Sequence, residues 1–308
     1  MANAFRTNLE HSAEYFGDTR DYWWNRDYID LIGKRFSFGL VHDVLDVGCG
    51  VGHWGHVLAS ALPDHARIVG IDAEEKWVQA AMARTLARAM PQRFDYQVAS
   101  AEKLPFAEAS FDLVTCQTVL IHTADPGVVI DEMIRVVRPG GLVLVAEPNN
   151  VVGTMVRSSV DFGTPIDDVI GMARFQLTCE RGKAALGEGN NSIGDLVPGL
   201  FAERGLADLH VYLNDKSAAL LPPYDSPEQR AAIQEGDDFE QREFWIWSRL
   251  DTYRYFLAGG GKENEFEAFW STALSGGDAY RKAIADKTFS HPGGGVGYLV
   301  AGRKLVGG

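Results

Sequence analysis

The stretch DVLDVGCGVGHWG, residues 43–55, sets the acidic residue Asp46 before glycines at alternate positions, Gly48, Gly50 and Gly52. Without side chains, such a loop lets backbone amides approach a ligand closely at the start of a helix. Two registers are open. Gly50, Gly52 and Gly55 spell G-x-G-x-x-G, the pattern that cradles a dinucleotide pyrophosphate. Counted from Gly48 the loop is G-x-G-x-G, and Asp46 stands ready to accept a hydrogen bond from an ammonium group. Asp72, twenty residues after Gly52 in IVGIDA, serves both readings, because a carboxylate at a strand end can take both ribose hydroxyls.

These residues need a scaffold, and residues 41–147 describe one. Five short apolar runs (Val44–Val47, Ile68–Ile71, Tyr96–Ala99, Leu113–Cys116 and Leu142–Ala146) alternate with helical patterns. EEKWVQAAMARTLARAM is closed by Pro91, and GVVIDEMIRVVRPGG by Pro139 and two glycines. Such alternation predicts a parallel sheet with helices on both faces, its ligands at the carboxyl ends of the strands. After Glu147 the rhythm breaks. IGDLVPGLFAERGL reads as a helix, ADLHVYLND and VGYLVAGRK as two further strands. DDFEQREFWIWSRLDTYRYFL places Phe239, Ile246, Leu250, Tyr253 and Leu257 on one helix face. The first glycine of a dinucleotide loop directly follows its strand, so after VLDV the turn begins at Gly48, two residues before the G-x-G-x-x-G register.

The segments DVGCGVG, GIDA, AEKLPF, FDLVTCQTVLIH and RPGG, in that order, resemble the class I methyltransferase superfamily that uses S-adenosylmethionine. The resemblance spans residues 43–147, a third of the chain, and the dinucleotide register accounts for none of the last three segments. It implies an α/β, Rossmann-like, doubly wound and mostly parallel seven-stranded sheet with helical lid insertions. The segments expected are 1–40 as an N-terminal helical lid, 41–149 as the cofactor-binding core and 150–190 as a helical insertion. Residues 191–216 would return a helix and strand to the core, 217–294 form a second insertion or lid, and 295–308 supply the last strand. The resemblance also implies that Gly48, Gly50 and Gly52 lie under the methionine portion of the cofactor, with Asp46 near its ammonium. Asp72 would hold the ribose, Ala73 lie beside the adenine, and Ala101 and Glu102 meet its amino group. Gln117 and Thr118 would floor the pocket. Trp77 either covers the adenine or packs its helix on the sheet.

The cofactor's methyl group is electrophilic, and the protein's task is to align a nucleophile with it. A hydroxyl acceptor needs a base, whereas an amine need only be bound deprotonated. Two candidates follow. His122, in TVLIHTADP, lies on the loop that faces the cofactor in relatives, and imidazole accepts protons near neutral pH. Glu147 ends the fifth strand in VAEPNN, where a carboxylate can bind an amine or act as base; an ion pair with an inserted helix is the other reading. Tyr22, Trp23 and Trp24 in RDYWWNRDY are lid candidates, as are Trp245 and Trp247 in the second aromatic cluster. Residues 225–243 carry seven acids against two arginines, which suits either a cationic substrate or a solvated face.

Composition bounds the remaining choices. The 308 residues are 46% hydrophobic, enough for a sizeable core, and the net charge of −13 repels nucleic acid. No apolar run approaches the ~18 residues of a membrane span. The first two dozen residues lack the pattern of a secretory signal. Cys49, Cys116 and Cys179 make no metal-ligand spacing and fit a reducing, cytoplasmic compartment. The expected function is methyl transfer to a small molecule, plausible in natural-product biosynthesis, with O-, N- and C-methylation and homo-oligomer assembly left open. The alternatives are a peptide or protein acceptor, aminopropyl transfer, and a non-catalytic cofactor-binding partner subunit.

Overall fold

Val44, Leu45 and Val47 are apolar on both faces of their strand because helices cover both sides of the sheet, and all three are buried. The computed structural model describes residues 18–306 other than 91, 242 and 243. Seven strands form one sheet: β1 Asp43–Val47, β2 Arg67–Asp72, β3 Phe94–Val98, β4 Phe111–Gln117, β5 Val137–Asn149, β6 Ala207–Leu213 and β7 Val296–Arg303. Their order is β3-β2-β1-β4-β5-β7-β6, with β7 antiparallel to both β5 and β6. Strand order reverses between β1 and β4, so the loops leaving their carboxyl ends diverge and open a crevice.

The helices are α1 Arg26–Phe36, α2 His53–Ala59, α3 Glu75–Ala87, α4 Pro126–Val136, α5 Ile166–Ala185, α6 Val197–Glu203, α7 Pro227–Gln241, α8 Arg249–Ala258, α9 Glu263–Leu274 and α10 Gly277–Ala285. On one face of the sheet, Val129, Met133 and Phe201 from α4 and α6 pack on Leu45, Val114 and Val143. On the other, Ile29, Ile32 and Phe36 from α1 join Trp54 and Leu58 from α2 over Val44, Ile68 and Leu113. That placement corrects the lid expectation for 1–40. Residues 1–17 lie outside the described residues, and α1 is a core helix. What remains near the crevice is a strap, comprising the 3₁₀ turn Asp18–Tyr22 and the two tryptophans after it.

Two boundaries differ from the pattern reading. α4 ends at Val136 and the chain passes straight into β5, which runs through Pro139–Gly141 with Gly140 at φ +77°. The single helix expected across residues 237–257 is broken. α7 ends at Gln241, and α8 starts afresh at Arg249, where the Ser248 hydroxyl accepts from the Asp251 amide. The break lets aromatics that one helix would splay around its circumference reach different neighbours. Trp245 stacks on Phe175 at 5.0 Å, and Trp247 meets Tyr255 edge-on at 5.4 Å. α5, α8 and α9 share a separate core of Phe175, Cys179, Phe256, Phe266 and Trp270. α5 crosses α8 where Gly182 and Gly259 leave no room for a Cβ, which would overlap the carbonyls of Tyr255 and Thr178.

Candidate active site

The loop after β1 turns through three left-handed glycines, Gly48 (φ +65°), Gly50 (φ +51°) and Gly52 (φ +82°), conformations that side chains resist. A Cβ on Gly48 would stand 2.5 Å from Val119 Cγ2. The turn is tied to the end of β2. Asp72 Oδ2 accepts the Gly50 amide at 2.9 Å, Oδ1 accepts the Glu74 amide at 3.0 Å, and only 3% of the residue is exposed. Around this junction lies a cavity of about 420 Å³. Its wall brings together Gly48, Gly50, Asp72, Ala73, Ala101, Glu102, Gln117, Thr118 and His122.

Three other expected residues stand off that wall. Asp46 is turned beneath the loop, where Oδ2 accepts the Gly55 amide at 3.0 Å inside the first turn of α2. Burial raises its carboxyl to about 7, against the opposing pull of that amide. Asp46 therefore ties the loop to its helix, and its placement near a ligand ammonium is corrected. Gly52 is the left-handed N-cap of α2, and its missing Cβ would meet Tyr96 Oη at 3.0 Å on the β3 side. Trp77 is half-buried on α3, away from the cavity, with the Lys76 ammonium 4.7 Å from its ring centroid.

A second cavity, of about 320 Å³, adjoins the first and shares Arg20, Gln117 and Thr118 with it. Thr118 at the end of β4 holds φ +53°, an uncommon conformation for a threonine, with its amide donating to Ala146 O at 2.9 Å. Tyr22, Trp23 and Trp24 of the strap all line this second cavity. Trp24 also packs on Tyr28 and Trp54, with ring centroids 6.0 and 5.4 Å away. Asp21 pins the strap to the core by binding His53 Nδ1 at 2.7 Å, Arg88 at 2.6 Å and Arg84. Burial pushes its carboxyl up, but His53 and the two guanidiniums prevail and hold it at about 2.

The two distal aromatics do not join the strap. Trp245 belongs to the insertion core and lines neither cavity, which corrects its lid assignment. Trp247 lies on the first cavity, beside Lys183, Glu188, Asp251 and Tyr255. The insertion thus walls the cavity of the glycine loop. Sequence reasoning missed this group, as it missed Arg20 and Lys216 on the second cavity; lone cations in mixed segments carry no local pattern.

His122 ends the 3₁₀ turn Leu120–His122 and lines the first cavity, whereas Glu147 lines the second. Only 2% of Glu147 is exposed, and Oε1 accepts the amides of Val119 and Leu120, both at 2.8 Å. From the other side, the buried Lys183 of α5 donates to Ile121 O at 2.5 Å. Burial lifts Glu147 to about 7 against these amides and the Lys183 charge, and lowers Lys183 to about 8 against the nearby carboxylates. Glu147 therefore lines the second cavity while one of its oxygens is committed to the loop after β4. Its bound oxygen holds the turn that carries His122, because the last part of β5 runs beside the outward amides of Val119 and Leu120.

The methyltransferase domain family matches residues 45–145. Among curated relatives, the methyltransferase GfsG of Streptomyces halstedii is 34% identical over 114 residues, covering 37% of this chain and 40% of that protein. The ubiquinone biosynthesis O-methyltransferase of Aromatoleum aromaticum is 38% identical over 128 residues, 40% of this chain and 49% of that one. The chain thus spans less than half the length of these relatives. The solved YcgJ protein of Bacillus subtilis shares the fold, at a TM-score of 0.52 and 18% identity, covering 92% of this chain and all of that one. Residues 45–145 thus match a methyltransferase domain, and the fold around them is that of the solved neighbour.

Proposed function

We propose that this chain is a class I methyltransferase that uses S-adenosylmethionine and transfers the cofactor's methyl group directly to a small-molecule acceptor. One observation carries the reading: the cavity at the glycine loop and the cavity under the strap meet at Gln117 and Thr118. A ligand in each would face the other across that floor. The wall chemistry of the first cavity fits the cofactor, with a carboxylate for the ribose at Asp72, open backbone at Gly48 and Gly50, and small residues at Ala73 and Ala101. Glu102 would meet the adenine amino group. Arg20 stands on both walls. When bound, the cofactor supplies a methyl carbon whose bond to a cationic sulfur breaks as the bond to the acceptor forms, the electron pair leaving on sulfur.

The chain's own part is alignment and exclusion of water. The strap closes the acceptor side with Tyr22, Trp23 and Trp24, and a volume of about 320 Å³ suits a compact molecule better than a peptide segment. Relatives named as O- and C-methyltransferases of quinone biosynthesis are in keeping with an apolar acceptor. The cofactor-side wall carries the imidazole of His122, a side chain type that accepts protons near neutral pH.

Calorimetry tests the reading. Demethylated cofactor is expected to bind and NAD not to bind. Asp72→Ala should weaken binding by about 1–3 kcal/mol, the cost of ribose hydroxyls left without their charged acceptor. Binding of NAD with no response to the adenosyl ligand would overturn it.

A further inference from the structure

We propose that the second cavity takes an acceptor with an apolar, ring-like body that reacts through an ionisable hydroxyl, as in a phenol, an enol or a carboxylic acid, and that it turns away ammonium compounds. The inference rests on the methyl-transfer reading for the reaction, but its charge preference rests on the cavity alone. Three observations converge on it.

The first is shape and polarity. Trp23 and Trp24 of the strap, Ile121 and Val296 give the cavity apolar, partly aromatic walls. Such surfaces take up a flat apolar body and release the water that covered both.

The second is the sign of the charges on the wall. Arg20 and Lys216 stand there as cations, and Lys216 also lies 5.8 Å from the centroid of the Tyr22 ring. Glu147 is the one carboxylate residue on the wall among the described residues. Its Oε1 is committed to the amides of Val119 and Leu120, and its Oε2 is buried without a hydrogen-bond partner among those residues. Asn214, a further polar group there, is spent on neighbouring backbone, accepting from Gly297 N of β7 at 2.8 Å and donating to Lys216 O at 2.7 Å. An ammonium ligand would lose its hydration and meet two like charges, with the buried Glu147 Oε2 as the single carboxyl oxygen left to set against them.

The third concerns the acids of residues 225–243, which from sequence alone suit a cationic substrate. Glu228 holds Lys216 at 2.9 Å, and Glu235 accepts from Thr19 Oγ1 and faces Arg20. Neither glutamate lines the cavity. They hold the two cations from outside the lining, so the acidic run serves to anchor positive charge on the wall rather than to meet the acceptor. Beside those cations a hydroxyl loses its proton to water more readily, and the resulting oxygen anion holds the lone pair that methylation consumes.

The test uses the full chain and three compounds on one skeleton: 2-naphthoate, 2-naphthol and (2-naphthyl)methylammonium. Binding is read by tryptophan fluorescence and calorimetry, with and without demethylated cofactor. Naphthoate should bind at least tenfold tighter than the ammonium compound, with naphthol between them. Lys216→Met should narrow that gap to under threefold while cofactor affinity, which also reports folding, stays unchanged. Equal or tighter binding of the ammonium compound overturns the proposal, as does absence of naphthoate binding by a chain that binds cofactor normally. Loss of cofactor binding with the anion preference intact would instead refute the methyl-transfer reading and leave this one standing.

Discussion

Replacing Glu147 by glutamine should flatten the pH dependence of stability across one defined window. In the folded chain burial lifts this carboxyl from 4.5 to about 7, against the amides of Leu120, Val119 and Ile121 and the charge of Lys183. At 1.36 kcal/mol per pH unit, that displacement is about 3 kcal/mol. Because the folded-state value is raised, the folded chain binds more protons than the unfolded one between pH 4.5 and 7. The Glu147 contribution is therefore fully present below pH 4.5 and is lost as pH rises through 7. Glutamine keeps an oxygen for the amides of Val119 and Leu120 but removes the charge. Weakening the two bonds costs about 1–2 kcal/mol in total. Near pH 4.5 the variant should be less stable than the parent by that amount, and at pH 8 equal or more stable, a relative change of about 3 kcal/mol. Urea denaturation followed by tryptophan fluorescence at several pH values measures the difference, in which titrating groups not coupled to Glu147 cancel. Parallel curves for the two proteins across pH 4.5–8 would refute a buried carboxyl titrating here.

Two more substitutions probe the same region. Gly48→Ala adds a Cβ 2.5 Å from Val119 Cγ2 at φ +65°, so the loop must shift, and affinity for the demethylated cofactor should fall at least tenfold by calorimetry. Lys183→Met should remove a rise in stability between pH 8 and 10.5. Burial depresses the folded-state value to about 8, so the unfolded chain binds more protons in that window and the parent gains about 3 kcal/mol across it. Denaturation at pH 8 and pH 10.5 checks this, and an unchanged rise in the variant would show that Lys183 does not titrate there.

The legible part of the site was the part written in short-range pattern. Gly48 and Gly50 are legible because left-handed backbone favours glycine, and Asp72 because the residue ending β2 in a parallel sheet must emerge at the crevice. Gln117 and Thr118 follow from the end of β4 in the same way. Asp46 was misplaced, and the hold of Glu147 on the neighbouring loop was missed, for a common reason. A buried carboxylate goes where unpaired amides lie, at Gly55 for one and at Val119 and Leu120 for the other, and strand periodicity does not report where those amides are.

What the sequence by itself determined, then, is the seven-stranded sheet, the crevice beside the glycine loop and the residues at the strand ends that face it. Each depends on periodicity or backbone conformation, which act over a few residues. Only the tertiary structure decided which aromatics of the insertions reach a cavity. Trp245 and Trp247 are two positions apart and both pack against the insertion core, yet only Trp247 also reaches a cavity, just before α8 is capped afresh at Ser248. It alone decided the charge of the acceptor cavity as well. Arg20 and Lys216 lie 196 positions apart and meet because the strap crosses the end of β6, with Glu235 and Glu228 brought to them by α7. Coulombic preference depends on distance and facing direction in space, and neither is carried by the order of residues along the chain.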